Sequence, residues 1–457
     1  MTEALHKLYY LTTFGCQMNE HDSERIRGVL ETGGWSPADS PEDADLLLFN
    51  TCSVRGSAVN RLLGRLGEAR RLKNEQPERL IALAGCFAQS RRDSLFHELP
   101  FIDIAIGPQN IGELPALIEA AASGSSSAYA FDGADSPSAD LPIRRSDRHS
   151  AWVQVMTGCT NFCSYCVVPL VRGPERSRPA DDIVEEVRRL VDEGVVEVTL
   201  LGQNVNSYGL DIGPGTAGRI NFAGLLTRLD DIDGLRRIRF TTSHPKDLNS
   251  DLIEAIRALP SVCEHLHLPV QSGSNCVLKR MKRGYTREHY LELVAGLYSG
   301  APGLALTTDI IVGFPGEKEE DFHRTMTLAG ECRFDGAFTF VYSPRPETEA
   351  AGLTGRIPEA TLKRRMHELI SLTQQIALAK NEKLIGSTAE VLIEGPSRHG
   401  DGMWRGRTRQ NKIVNFSAGG SSEEPATGSF VKVTIDSATS TTLKGRQSDS
   451  LRPFFCD

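Results

Sequence analysis

Short apolar runs alternate with helix-length amphipathic stretches over residues 7–120. The runs LYYLTTFGC, DLLLFNTC, LIALAGC and FIDIAIG have the length and residue content of buried strands. Between the second and third, SAVNRLLGRLGEARRLKN sets Val59, Leu62, Leu63 and Leu66 at the helical period. Such alternation predicts a parallel sheet covered by helices. A second series begins at residue 149 and runs to 380, with strand candidates AWVQVMTG, VEVTLLGQN, RIRFTTSHP, EHLHLPVQSG, LALTTDIIVGF and AFTFVYSP. In it, DDIVEEVRRLVDEG places Ile183, Val184, Val187, Leu190 and Val191 on one helical face, with Asp181 and Asp182 at the start and Gly194 at the stop. Six strand–helix units predict a partial (βα)6 barrel, its chemistry at the carboxyl ends of the strands. Beyond KNEKLIG the period changes to two. The runs TAEVLIEGP, KIVNFSA and SFVKVTIDSA, separated by Gly and Ser turns, predict a small OB-like β-barrel. Residues 121–148 are rich in Ser, Ala, Gly and Asp without a period and read as a linker. The expected fold class is therefore α/β, as three domains over 7–120, 149–380 and 383–451.

Composition changes this picture little. With 24% charged and 40% hydrophobic residues the chain fits a globular class and no disordered or fibrous one. No apolar stretch approaches the roughly 20 residues that cross a bilayer, and MTEALHKLYYL lacks the pattern of a secretory signal. A cytoplasmic, reducing setting is expected, in which the ten cysteines serve as ligands or packed thiols. The net charge of −8 argues against wholesale nucleic-acid binding. Two basic clusters stand out from it: Lys279, Arg280, Lys282, Arg283 and Arg287, and further on Arg405, Arg407, Arg409 and Lys412.

The cysteines carry the candidate chemistry. Cys159, Cys163 and Cys166 stand in a C-x3-C-x2-C spacing within GCTNFCSYC, on the loop after the first strand of the second series. A fully protein-held four-iron cluster takes four cysteines, so three leave one iron open to a guest. Zinc and a disulfide are the competing readings; structural zinc wants four ligands, and none completes the set nearby. Cys16, Cys52 and Cys86 each close a strand run, and loops at the carboxyl ends of parallel strands form the binding crevice. One such cysteine reads as a small buried hydrophobe; three at matching positions point to a shared ligand. Cys263, Cys276, Cys332 and Cys456 lack ligand spacing and read as ordinary thiols.

With Tyr165 before its last cysteine, the C-x3-C-x2-C loop resembles the radical S-adenosylmethionine superfamily. TFGCQMN, NTCSVR, AGCFAQ and the trailing β-barrel narrow the resemblance to methylthiotransferases over residues 7–451. VVPLVRGPERSR, LGQNVNSYG, HLPVQSGS, RGYTR and TDIIVGFPGE match as well. Gln17, Met18 and Asn19 stand where the ribosomal-protein branch usually reads LGCPKN, so the chain looks most like the tRNA branch (MiaB-type). That resemblance implies a [4Fe–4S] cluster on Cys159, Cys163 and Cys166 that binds S-adenosylmethionine and yields a 5′-deoxyadenosyl radical. It implies an auxiliary [4Fe–4S] cluster on Cys16, Cys52 and Cys86 that carries the inserted sulfur. One S-adenosylmethionine would give the methyl group and a second the radical, at C2 of isopentenylated adenosine beside the anticodon. Gln203, Asn204, Ser243, Gln271 and Asp309 would meet the polar groups of S-adenosylmethionine, against a capping or turn role for each. His244 and His267 read as proton donors or structural histidines. The barrel resembles a TRAM domain, in which Trp404, Phe416, Arg405, Arg407, Arg409 and Lys412 would stack on RNA and meet phosphate. Arg172, Arg176 and Arg178 would meet the anticodon loop or a carboxylate of S-adenosylmethionine. The expected partners are the tRNA anticodon stem-loop, S-adenosylmethionine and an electron donor such as flavodoxin or ferredoxin, with a monomeric enzyme and no membrane. Ribosomal protein S12, threonylcarbamoyladenosine tRNA, and a non-catalytic iron–sulfur RNA-binding role are the alternatives.

Overall fold

The computed structural model describes residues 7–53, 56–92, 94–124, 127–131, 141–213, 218–398, 400, 402–419 and 425–448. Cys456, residues 132–140 of the expected linker and residues 449–451 of the expected last domain lie outside them. The chain divides into two compact units. One comprises Met1–Ser146, Thr157–Thr160 and Cys166–Glu175; the other comprises Asp147–Met156, Asn161–Tyr165 and Arg176–Asp457.

The first unit is built on six parallel strands: β1 (Lys7–Phe14), β2 (Trp35–Pro37), β3 (Leu46–Thr51), β4 (Leu80–Ala84), β5 (Ile104–Ile106) and β6 (Ala128–Ala130). Their order across the sheet is β2-β1-β3-β4-β5-β6. Leu47 and Phe49 of β3 pack with Leu62, Leu66, Ala69 and Leu72 of helix α2 (Gly56–Glu75) on one face. Leu46 and Leu48 pack with Ile26, Val29 and Leu30 of helix α1 (Gln17–Thr32) on the other. Both faces are covered, which is why these runs are apolar throughout instead of alternating. The order reverses between β1 and β3, and a crevice opens at the carboxyl ends of strands flanking such a switch point.

The expected linker is partly structured. Within it β6 joins the sheet through Ala128 and Ala130, whose small side chains gave no strand signal. Further along, Arg144 N donates to Glu24 O at 2.9 Å, and Ser146 donates to the Glu24 carboxylate at 3.1 Å. A Cβ on Gly28 of α1 would lie 2.1 Å from Pro142 O, so glycine is what lets this segment lie along the helix.

In the second unit β7 (Ser150–Gln154) leads to the two-residue strands β8 (Met156–Thr157) and β9 (Arg176–Ser177), which flank the three-cysteine loop in sequence. Then follow β10 (Glu197–Leu201), β11 (Arg237–Phe240), β12 (His265–His267), β13 (Ala305–Val312) and β14 (Gly336–Val341). They pair in parallel as β7-β10-β11 and β12-β13-β14. A parallel bridge from Ile238 to Val262 links β11 to the chain entering β12, giving the expected six-stranded partial barrel. The helix Ala180–Asp192 buries Ile183, Val184, Val187 and Leu190, and Gly194 beyond it has a φ of 98°.

The described residues from Thr388 to Ser448 close into a barrel ordered β15-β16-β17-β19-β18. Its strands are β15 (Thr388–Pro396), β16 (Met403–Thr408), β17 (Ile413–Ser417), β18 (Phe430–Ala438) and β19 (Thr442–Ser448). Val391, Ile393, Val414, Phe416, Val433 and Ile435 fill it. Sequence reading missed β16, because its arginines masked the strand period, and β2 and β19.

Candidate active site

Cys16, Cys52 and Cys86 stand immediately past β1, β3 and β4, three adjacent strands, at their carboxyl ends. Cys16 caps α1, with its sulfur 3.4 Å from Asn19 Oδ1. Cys52 N donates to Phe14 O at 2.9 Å, fixing the second loop to the first. Asn50 ties them further, donating from Nδ2 to Asn19 O at 2.8 Å and to Ser23 Oγ at 2.9 Å. The two Gly–Cys pairs have a steric cause. A Cβ on Gly15 would come within 2.9 Å of Cys52 Cβ, and one on Gly85 (φ 90°) within 2.3 Å of Asn50 Oδ1. The hydrogen bond from Cys52 holds the Cys16 thiol down to about 6, against the opposing effect of burial. Burial pushes the Cys86 thiol up. Arg172, buried in the same unit, donates from Nε to Cys86 Sγ at 3.3 Å and from Nη2 to Asp22 Oδ2 at 2.6 Å.

The second triplet occupies one loop. Gly158 opens it at φ 73°, where a Cβ would sit 1.9 Å from Pro174 O, and Cys159 N donates to Gly173 O at 3.1 Å. Ser164 anchors the middle, donating from N to Met281 O at 3.1 Å and from Oγ to Arg280 O at 2.8 Å. Buried Cys163 receives a hydrogen bond from Arg283 Nη1 at 3.3 Å. No disulfide joins the described cysteines, and no three described His, Cys, Asp or Glu side chains converge as on a single ion. A cubane is ligated at separate corners by thiolates alone, so these donor sets fit a four-iron cluster better than zinc.

Along the barrel mouth, buried polar atoms lack partners among the described residues. They are Gln203 Oε1 after β10, Ser243 Oγ and His244 Nε2 after β11, and Gln271 Oε1 after β12. Orphans of this kind are rare in a folded interior, and a bound polar ligand is one of the partners that would satisfy them. The residues present therefore fit S-adenosylmethionine, which offers an ammonium, a carboxylate, ribose hydroxyls and an adenine edge. Gln271 adopts a φ of 67° and pairs through its backbone with Asp309 and Ile311. Asn204 Nδ2 donates to Asp247 Oδ2 at 2.8 Å. Asp309 was expected at a strand end; it lies inside β13, opposite Phe338 and 3.5 Å from His267 Nε2. His244 Nδ1 accepts from Lys246 N at 3.1 Å, so Nε2 carries the proton. Burial, with Arg283 and Lys246 adding to it, pushes the pKa of His244 down to about 2.

The expected RNA surface is rearranged. Phe416 is fully buried in the barrel and cannot stack on a base. Arg409 grips Glu264 through Nε and Nη2, both at 2.9 Å, and donates to Val262 O at 2.7 Å. Lys412 reaches Asp335 at 2.8 Å and Asn381 at 2.7 Å. These two cations, expected to meet phosphate, bind the barrel to carboxylates of its own unit. Arg405 and Arg407 share Glu394 at the surface beside half-buried Trp404. Three cations of the other basic cluster are spent internally as well: Arg280 on the carbonyls of Pro315 and Gly316, Lys282 on Glu349, Arg287 on Glu331. Arg178, expected near the substrate, pairs with Glu186.

Three family models match in turn: Uncharacterized protein family UPF0004 over residues 8–107, the Radical SAM superfamily over 153–329, and the TRAM domain over 382–447. The tRNA-2-methylthio-N(6)-dimethylallyladenosine synthase of Moorella thermoacetica is 47% identical over 97% of this chain and 99% of its own. The chain belongs to that family. The synthase of Carboxydothermus hydrogenoformans is 46% identical over 94% of this chain and 96% of its own. The family's cofactors are S-adenosylmethionine and [4Fe–4S] clusters, and the first and second matched domains carry one cysteine triplet each. Among solved structures, the radical S-adenosylmethionine methyltransferase TsrM of Kitasatospora setae has a TM-score of 0.54 at 16% identity, covering 76% of this chain and 75% of its own. The cobalamin-dependent radical enzyme OxsB reaches 0.50 at 11% identity, covering 81% and 56%. At those identities the likeness shows the fold.

Two functional candidates escaped sequence reading. Arg172 was expected to meet the anticodon loop or a carboxylate of S-adenosylmethionine and instead bonds Asp22 and Cys86. Arg283 was seen only as one of a basic cluster; nothing local distinguishes a buried arginine aimed at sulfur from a solvated one.

Proposed function

We propose that this chain methylthiolates C2 of N6-isopentenyladenosine at position 37 of tRNA, with Cys159, Cys163 and Cys166 holding one [4Fe–4S] cluster and Cys16, Cys52 and Cys86 the other. The observation that carries the reading is the placement of Cys16, Cys52 and Cys86 at the ends of three adjacent strands, where one ligand can reach all three. When bound, the clusters and two molecules of S-adenosylmethionine supply the radical, the methyl group and the inserted sulfur. The chain supplies position and shelter. Gln203, Ser243 and Gln271 turn buried polar atoms toward the ligand space, and His244 holds a neutral N–H there at any working pH. The Asn19–Asn50–Ser23 network keeps the Cys16 and Cys52 loops in register.

The test is nucleoside mass spectrometry on a bacterial strain lacking this modification and complemented with the gene. Appearance of 2-methylthio-N6-isopentenyladenosine is expected. A methylthio group found instead on threonylcarbamoyladenosine or on ribosomal protein S12 overturns the substrate assignment. Iron and sulfide counts on anaerobically reconstituted protein, expected to give two clusters, check the cofactor assignment.

Binding of the anticodon stem-loop uses half-buried Arg405 and Arg407 at the barrel surface together with Trp404 in this reading. Affinity for tRNA should fall as salt rises, with a log–log slope of about 0.7–0.9 per phosphate contact. The double variant Arg405→Gln/Arg407→Gln should flatten that slope by about 1–2; an unchanged slope removes these residues from the interface. The reading also includes a cytoplasmic, monomeric enzyme reduced by flavodoxin or ferredoxin. No helix among the described residues is long and apolar enough to cross a membrane.

A further inference from the structure

Among the described residues, two buried arginines hydrogen-bond cysteine sulfurs, and their surroundings differ in charge. Arg172 touches Cys86 while bonded to Asp22, which is as buried as it is, so cation and carboxylate form a neutral pair. Arg283 donates from Nη1 to Cys163 Sγ at 3.3 Å, from Nε to the Tyr285 hydroxyl at 3.0 Å and from Nη2 to Pro269 O at 3.0 Å. The Tyr165 hydroxyl stands 3.5 Å from Nη1. Each of these partners is neutral or a thiol, and among the described residues no bond of Arg283 goes to a carboxylate. The guanidinium is 5% exposed, and arginine does not shed its proton in proteins. A full positive charge is thus lodged, without a counter-charge, against one sulfur of the three-cysteine loop. Support of the segment after β12 does not need the charge: Tyr285 already bonds the carbonyls of Pro269 and Val270 through a neutral hydroxyl.

We propose that Arg283 is a positioning residue that raises the reduction potential of the iron–sulfur cluster bound by Cys163. The proposal rests on the ligand assignment given under Proposed function. Cluster potentials follow net charge, hydrogen bonds to the sulfurs and solvent exposure, and Arg283 acts through the first two. It adds one buried charge and donates one N–H···S bond. An electron arriving from an external low-potential donor adds negative charge to the cluster, which a nearby buried cation stabilises selectively in the reduced form. The neutral Arg172–Asp22 pair gives the Cys86 side a comparable hydrogen bond without that net charge.

The experiment is an EPR-monitored redox titration of the reconstituted full-length enzyme. The relevant cluster is identified as the one whose signal changes on adding S-adenosylmethionine. In Arg283→Gln, which keeps a donor and loses the charge, the ratio of reduced to oxidised cluster at a fixed potential should fall at least tenfold, a midpoint shift of about 59 mV for one electron. Arg283→Lys keeps the charge and should recover most of it. The other cluster in the same sample should move less. A midpoint unchanged in Arg283→Gln at full iron and sulfide content overturns the proposal, as does an Arg283→Lys shift equal to that of Arg283→Gln. Failure of the underlying assignment reads differently: Cys163→Ala would then still take up two full clusters.

Discussion

Cys16→Ala is expected to form 5′-deoxyadenosine at close to the parent rate and to yield no methylthiolated nucleoside. The substitution is mild for the fold. Cys16 sits in an extended cap position ahead of α1, where a smaller side chain meets no clash, and the backbone N–H of residue 16 still donates to Asn19 Oδ1. It is severe for the ligand set. The hydrogen bond from Cys52 holds the Cys16 thiol down to about 6, which favours the thiolate that a metal needs, whereas burial pushes Cys86 the other way. Removing a direct ligand should exceed the about 10–100-fold losses that follow changes behind the ligands. The loop carrying Cys159, Cys163 and Cys166 is a separate stretch of chain, so radical formation should persist. Both products are measured in one anaerobic reaction. Full methylthiolation by this variant would remove Cys16, Cys52 and Cys86 from the sulfur-inserting role.

Arg172→Met should destabilise the first unit by about 3–5 kcal/mol, the usual result of leaving one member of a buried ion pair alone. Asp22 and Arg172 are 3% and 5% exposed in their side chains and 2.6 Å apart, so neither can turn to water when its partner is lost. The double variant Asp22→Leu/Arg172→Met should recover most of the loss, because two apolar side chains replace a pair whose desolvation offsets its attraction. Denaturant midpoints for the two single variants and the double give the coupling directly. A double variant no more stable than the worse single would show the pair to be held for packing and not for charge. Iron content adds a second readout, since the double variant also removes the N–H donor from Cys86; it should fold yet hold its second cluster more weakly.

Much of the fold was legible because burial on both faces of a parallel sheet writes itself into the sequence as unbroken apolar runs. Leu46 to Phe49 is one such run, and Leu80 to Ala84 is another. Where that signal was absent the reading failed. Ala128 and Ala130 form a strand by pairing at a sheet edge, and β16 hides its period beneath Trp404, Arg405 and Arg407. Phe416 shows the opposite error, an aromatic in a basic stretch taken for a stacking platform although its strand turns it into the barrel core.

What the sequence determined by itself was the chemistry on offer. Cysteine spacing, glycine before Cys16 and Cys86, and the position of each at the end of an apolar run are local facts, set by backbone sterics and strand length. The tertiary structure alone decided how charges were used. Of the cations in KRMKRGYTR and MWRGRTRQNK, some bind carboxylates far along the chain, Arg283 turns inward to a sulfur, and Arg405 and Arg407 stay at the surface. An arginine side chain is long enough to satisfy either fate from the same backbone position. Its partner lies dozens or hundreds of residues away in sequence, so only folding brings the two together.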